Sequence, residues 1–246
     1  MIDRIAPTVR PARRVVMRQS WRDLLFLHWA LAPAAVRTLL PPGLELDLFD
    51  GMAYIGLVPF TMRGVRPAGF PSFPPVSNFH ETNVRTYVHV GGRDPGVWFF
   101  SLDAANALAV VAARAWFHLP YHHARMGLTR PAEGNPNYVY TGTRLWPGPR
   151  PASYSIEAAP ASGPARAAAG TLDHFLVERY FLYAARRGGL FRGQVHHAPY
   201  PVQAALARSV EETMLAANRI VRPGDAPLAH FSTGVDVEVF ALEGVT

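Results

Sequence analysis

The chain contains no cysteine. Thiol catalysis, disulfides and cysteine-ligated zinc or iron–sulfur sites are therefore excluded, and the composition suits a reducing compartment. Lysine is missing as well: all 24 basic residues are arginine. No side chain can form a Schiff base with a carbonyl compound or hold pyridoxal phosphate. A Walker-type phosphate loop, which needs lysine, is excluded on the same ground. GxSxG, GxGxxG, HExxH and EF-hand patterns are missing too, so neither a cofactor nor a metal is expected. Long apolar runs are scarce. Leu24 to Leu40 is the most apolar N-terminal stretch, but His28, Pro33 and Arg37 interrupt it. A spanning helix needs about 20 apolar residues. The first twenty residues carry no apolar core of the secretory type. The expectation is a cytoplasmic protein with no membrane partner.

What is present describes a folded chain. Its 246 residues are 49% hydrophobic and 17% charged, which rules out wholesale disorder. A chain of this length buries a core without disulfides or structural metals. The net charge is +6, and nucleic acid is the first partner such a balance suggests. The arginines are dispersed, however, apart from Arg10, Arg13, Arg14, Arg18 and Arg22. No recognition motif accompanies them, so nucleic acid is not the expected partner. Residues 1–17 read as a basic arm ahead of a single domain over 18–246.

The pattern is rich in strands. Trp21 to Trp29 is apolar on both parities, as in a strand buried on both faces. Pro33 to Leu40 reads as a short helix ended by Pro41-Pro42-Gly43. Leu44 to Phe49 and Met52 to Met62 flank Asp50-Gly51, a type I′ hairpin signal. Residues 63–78 read as a long Pro/Gly-rich loop, either a binding lid or a stiff surface excursion. Phe79 to Val90 and Val97 to Leu102 read as strands. Asp103 is a candidate cap for a buried helix from Ala104 to His118. Strands are expected near 137–146, 153–158, 180–186, 192–198 and 202–209. Leu172 to Tyr180 reads as a short helix or turn and Glu211 to Ile220 as a helix. Ala229 to Leu242 reads as a final strand pair or one bent strand. The tally favours an α+β fold on a curved antiparallel sheet or barrel.

Three places concentrate chemistry. On Phe79 to Val90, Glu81, Asn83, Arg85, Tyr87 and His89 share one face. That face is either a solvated exterior or the polar wall of a cavity. In the buried strand, Arg22 needs a carboxylate, an anionic ligand or a route to water along its stem. After the helix come His118, Pro120, Tyr121, His122 and His123. Histidine titrates near neutral pH and tyrosine can donate to an oxyanion. Pro120 breaks the helical spacing that would join His118 and His122 on one metal. His196 and His197 form a further pair whose side chains point to opposite faces of a strand.

Several of these stretches together resemble the YqjF-like family of bacterial proteins. They are Trp21-Arg22-Asp23-Leu24-Leu25-Phe26-Leu27-His28-Trp29, Leu40-Pro41-Pro42-Gly43-Leu44-Glu45, Phe79-His80-Glu81-Thr82-Asn83-Val84-Arg85-Thr86-Tyr87, Gly96 through Ala104, and Ala113-Arg114 through Tyr121. That family looks like a distant branch of the acetoacetate decarboxylase-like superfamily. The resemblance implies a curved antiparallel sheet closing into a cone or barrel, with peripheral helices and an interior pocket. It implies Arg22 as a substrate-binding arginine and Glu81 as the site glutamate. Tyr121 and His122 match the positions of the superfamily's two site lysines. Tyr121 cannot form an imine, so Schiff-base decarboxylation is not expected. What the resemblance leaves is non-covalent acid/base chemistry on a small carbonyl or carboxylate compound. Glu81, Tyr121 and His122 would be catalytic, Glu81 as the base and Tyr121 with His122 stabilising an enolate-like oxyanion, and Arg22, Asn83, Arg85 and Arg114 would bind substrate. The alternative is a ligand-binding or sensing protein without turnover. The partner so implied is a small organic ligand, anionic or carbonyl-containing. Relatives in the superfamily often assemble, so a homo-oligomer is a further implied partner.

Overall fold

The computed structural model describes residues 2–186 and 189–245. Thirteen strands run through it: β1 (Val15–Leu31), β2 (Glu45–Leu46), β3 (Ala53–Pro67), β4 (Phe79–Val90), β5 (Arg93–Ala104), β6 (Tyr121–Thr129), β7 (Tyr138–Trp146), β8 (Ser153–Pro160), β9 (Phe181–Arg186), β10 (Gly189–His197), β11 (Val202–Glu212), β12 (Leu228–Phe240) and β13 (Glu243–Gly244). Five short α-helices interrupt them: α1 (Pro33–Arg37), α2 (Pro74–Ser77), α3 (Ala107–Trp116), α4 (Leu172–Val177) and α5 (Met214–Ala217).

All the strands belong to one sheet, and pairings of β4 with β5 and of β10 with β12 close it into two rings. One ring passes through β12, β1, β3, β4, β5, β9 and β10. The other leaves β5 for β6, β7, β8 and β11 before returning to β12. The pairings are antiparallel except those of β5 with β6 and with β9. The expected antiparallel sheet is thus the main motif, with two parallel contacts added.

The rings share the wall β12-β1-β3-β4-β5, and a separate core lies on each of its faces. Leu24 and Phe26 of β1, with Val58 and Phe60 of β3, enter the first core. Leu25, Leu27 and Trp29, with Ile55 and Leu57, enter the second. Period-two alternation sorts them. This explains why the stretch is apolar on both parities: from Leu24 to Trp29 neither face of β1 meets water. Each large side chain so buried contributes about 1.5–3 kcal/mol of transfer free energy.

The chain departs from the sequence-based expectations in definite places. The basic arm is not free, because its arginines meet acidic partners on the body. Arg4 reaches Asp47 at 2.5 Å and Arg10 reaches Glu238 at 2.5 Å. Arg13 pairs with Glu243. Strand β1 already begins at Val15. Strand β3 continues to Pro67, so the expected 63–78 loop shrinks to 68–78 around α2. The Asp50-Gly51 turn forms, with φ of 49° and 77°, but it closes only the Phe49–Met52 bridge, and β2 pairs with β4 in place of the expected hairpin partner. Asp103 caps nothing, since it lies inside β5. Asn106 caps α3 instead, accepting from the Ala109 N–H at 3.0 Å. Helix α3 is not buried: Leu108 is 69% exposed and Trp116 76%. An alanine-rich helix that is apolar all round carries no stripe to say which face packs. Strand β6 was not anticipated, because its mixed sequence follows a helix stop. The expected Glu211–Ile220 helix reduces to α5, because β11 persists to Glu212.

Gly234 in β12 has φ +127° and faces Arg22 across the sheet, beside the left-handed Asp23 of β1. A Cβ there would fall on the Trp21 carbonyl oxygen. We expect Gly234→Ala to cost at least about 2 kcal/mol in chemical denaturation. An unchanged midpoint would mean that the wall yields at this bulge.

Candidate active site

The site is built from β4 outward. Glu81, Asn83, Arg85 and Tyr87 are all buried and point to the first core. The opposite face of β4 is buried as well, with Val84 in the second core. The chemistry-bearing face is therefore interior, not a solvated exterior.

Tyr121 opens β6 directly after Pro120. It pairs with Leu102 of β5, while Glu81 pairs with Ala104 two residues further along β5. The Tyr121 hydroxyl donates to Glu81 Oε2 at 2.8 Å. Burial pushes the Glu81 carboxyl up to about 8, and the nearby Asp103 carboxylate adds to this. The tyrosine hydrogen bond opposes the rise, since it favours the ionised form. Burial and the adjacent Glu81 push Tyr121 well above its ordinary range. At neutral pH the pair is uncharged: a carboxylic acid bonded to a phenol.

Arg85 sits four residues along the same face. Its Nη2 donates to the Leu176 carbonyl at 3.0 Å and lies 3.4 Å from the Tyr87 hydroxyl. Its guanidinium lies over the rings of Phe26 and Tyr87, at 5.6 and 5.7 Å. Gly56 makes the room, because a Cβ there would press on Arg85 Cγ and the His28 ring at 3.2 Å. Asn83 lies between Glu81 and Arg85, and its Oδ1 is buried without a partner.

The other expected site residues lie elsewhere. His122 follows Tyr121 by one residue and so faces away from Glu81. Its Nδ1 bonds to the Pro147 carbonyl at 2.8 Å. Arg114 meets the backbone of Tyr121 and not its phenol. It donates to the Tyr121 carbonyl at 2.6 Å, which fixes the backbone carrying the phenol. Arg22 pairs with Asp236 at the surface and donates to the Trp21 and Val235 carbonyls. The bulge at Asp23 shifts the parity of β1 and turns Arg22 outward. Arg22 lines an open surface groove of about 510 Å³ with Arg166 and Asp236.

Sequence reasoning gave no role to several interior groups. His28 bonds through Nε2 to the Tyr87 hydroxyl at 2.7 Å. Arg179 reaches Asp47 at 2.7 Å and lies over Phe175. His197 and Tyr200 stand with ring centroids 4.6 Å apart. The parity of Leu24, Phe26 and His28 was a usable signal for the first of these. Arg179 and Tyr200 sit in connections with no period to read. Among the described residues, no group of three or more acidic or histidine side chains is placed to hold a metal ion. No helix among them is long and apolar enough to cross a membrane.

The ringed sheet with few helices is the fold of acetoacetate decarboxylase-like enzymes. One such enzyme from Sphingomonas wittichii RW1 matches with a TM-score of 0.64 and 13% identity, covering 95% of this chain and 94% of the other. The acetoacetate decarboxylase of Legionella pneumophila matches at 0.62 and 14%, covering 98% and 94%. The enduracididine biosynthesis enzyme MppR with HEPES bound matches at 0.67 and 12%, covering 97% and 90%. At these identities the likeness shows the fold alone. The chain itself belongs to the DUF2071 family, described as an uncharacterized conserved protein, whose model matches residues 18–236. It is 39% identical over 228 residues to the uncharacterized protein YqjF of Bacillus subtilis (strain 168), across 92% of this chain and 91% of that one.

Proposed function

We propose that the first core of this protein holds a small carbonyl or carboxylate compound, on which Glu81 and Tyr121 carry out non-covalent acid/base chemistry. The observation that carries this reading is the buried 2.8 Å bond from Tyr121 to a carboxyl raised to about 8. Paired titratable groups with strongly shifted values mark sites of proton transfer more often than chance. The expected roles change at two residues: His122 faces away and takes no part, and Glu81 changes its role. A carboxyl that stays protonated at neutral pH is a general acid there, not a base.

The step is direct. The Glu81 O–H bond breaks as a new O–H bond forms on the substrate carbonyl. Tyr121 then stabilises the carboxylate left behind, through the bond it already makes. The carbon next to the activated carbonyl loses its proton to water, giving the enol. Imine chemistry has no part, because the chain has no lysine. MppR has been solved with pyruvate bound, which makes 2-oxo acids reasonable first probes for this chain.

Deuterium exchange next to the ketone of oxo acids, with the oxo group beside the carboxylate or further along the chain, followed by proton NMR, tests the reading. General acid catalysis is worth about 10²–10⁴-fold. Exchange by the wild type should be level below pH 8 and fall above it, as Glu81 ionises. Glu81→Gln should lose at least about 100-fold. Equal exchange in wild type and Glu81→Gln across a panel of carbonyl compounds would sink the acid role.

A further inference from the structure

The Arg85 end of the first core has its own chemistry. Arg85 is only 8% exposed, yet among the described residues it has no carboxylate partner. Its contacts are a carbonyl oxygen, a phenol and two aromatic faces. A buried charge left unpaired is costly, so such a cation calls for an anion. Its Nε also finds no hydrogen-bond partner in the protein.

His28 beside it shows what else the ligand must supply. The Tyr87 hydroxyl donates its proton to the Leu176 carbonyl at 2.6 Å. His28 Nε2 must therefore be the donor to Tyr87, which leaves Nδ1 as a bare acceptor. Burial first, then Arg85, holds His28 well below its ordinary pKa, so the ring is neutral. His230 stands 6.5 Å from His28, centroid to centroid. Its Nε2 lies 3.0 Å from the Asp173 carboxylate. Both Nδ1 atoms are buried and unpartnered. This end of the core thus offers one cation with a free N–H and one free acceptor, His28 Nδ1. A simple keto acid satisfies the cation but donates nothing to His28. A 2-hydroxy acid supplies both the anion and a donor.

Resting on the interior site proposed above, we infer that its ligand is a hydroxylated carboxylate. Its carboxylate meets Arg85 and its hydroxyl donates to His28 Nδ1. Four residues of strand separate Glu81 from Arg85, roughly 13 Å between Cα atoms. A ligand that reaches both ends is therefore an elongated molecule, with its carbonyl group at the Glu81 end.

Calorimetric titration of the intact protein with 2-hydroxyhexanoate, 2-oxohexanoate and hexanoate tests this. The hydroxy acid should bind at least tenfold tighter than either of the others. Arg85→Met should abolish binding of all three while raising the melting temperature, because it removes an unpaired buried charge. Gly56→Ala keeps every side chain but crowds Arg85 and His28, and should weaken hydroxy-acid binding about tenfold. Equal or tighter binding of 2-oxohexanoate, still lost in Arg85→Met, would overturn the hydroxylated class and leave the interior site standing. No binding of any acid, or binding indifferent to Arg85→Met, would overturn both. A fall in melting temperature on Arg85→Met would mark Arg85 as a packing residue and contradict the inference.

Discussion

Glu81→Gln will be more stable than the wild type at pH 8 by roughly 3–5 kcal/mol, while the two differ little at pH 5. The folded carboxyl keeps its proton until about pH 8, whereas the unfolded chain releases it near the ordinary value of 4.5. Between those values the native state binds more protons, so rising pH favours unfolding. The slope approaches roughly 1.4 kcal/mol per pH unit across the window, and the contribution is gone above pH 8. Glutamine keeps an oxygen to accept from Tyr121 and cannot ionise, so its slope from this position is zero. Glu178 is also raised, chiefly by burial. The difference between variant and wild type therefore isolates Glu81. Urea denaturation of both proteins from pH 5 to 9 measures it, and parallel stability curves would show that Glu81 ionises normally.

The second large effect lies on the other face of the wall. Asp103 of β5 holds Arg144 of β7 through two bonds, 2.8 Å from Nε and 2.6 Å from Nη2. The Arg144 side chain is fully buried. Removing one partner leaves the other charge uncompensated, which costs about 3–5 kcal/mol. We expect Asp103→Ala to destabilise by that amount, and Asp103→Leu combined with Arg144→Met to recover most of it. Asp103 also contributes to the raised pKa of Glu81. Its removal should lower the Glu81 titration midpoint even though the two carboxyls lie on opposite faces. Additive single effects would show that the pair is not coupled.

What the sequence made legible follows from periodicity. The alternation of β4 placed Glu81, Asn83, Arg85 and Tyr87 on one face correctly. The double-sided apolarity of Trp21 to Trp29 announced a wall buried on both sides. The turn at Asp50-Gly51 was written in its residue types. The failures have physical causes of their own. The left-handed Asp23 opposite Gly234 bulges β1, and no pattern count reveals that Arg22 is thereby turned to the surface. The resemblance set Tyr121 and His122 together at the positions of two site lysines. As residues of β6 the two necessarily face opposite ways. His230 and Arg179 reach the core only through ring closure, a long-range property that local pattern does not encode.

The most direct test of the account is the titration of the Glu81 carboxyl itself. Infrared difference spectra of carboxyl-labelled wild type against Glu81→Gln, taken from pH 5 to 10, follow its protonated carbonyl band. The band should persist at pH 7 and vanish with a midpoint near 8. In Tyr121→Phe the midpoint should move higher, because the lost hydrogen bond favoured the ionised form. A carboxyl already ionised at pH 6, or a midpoint indifferent to Tyr121, would contradict the buried acid on which the proposed chemistry depends.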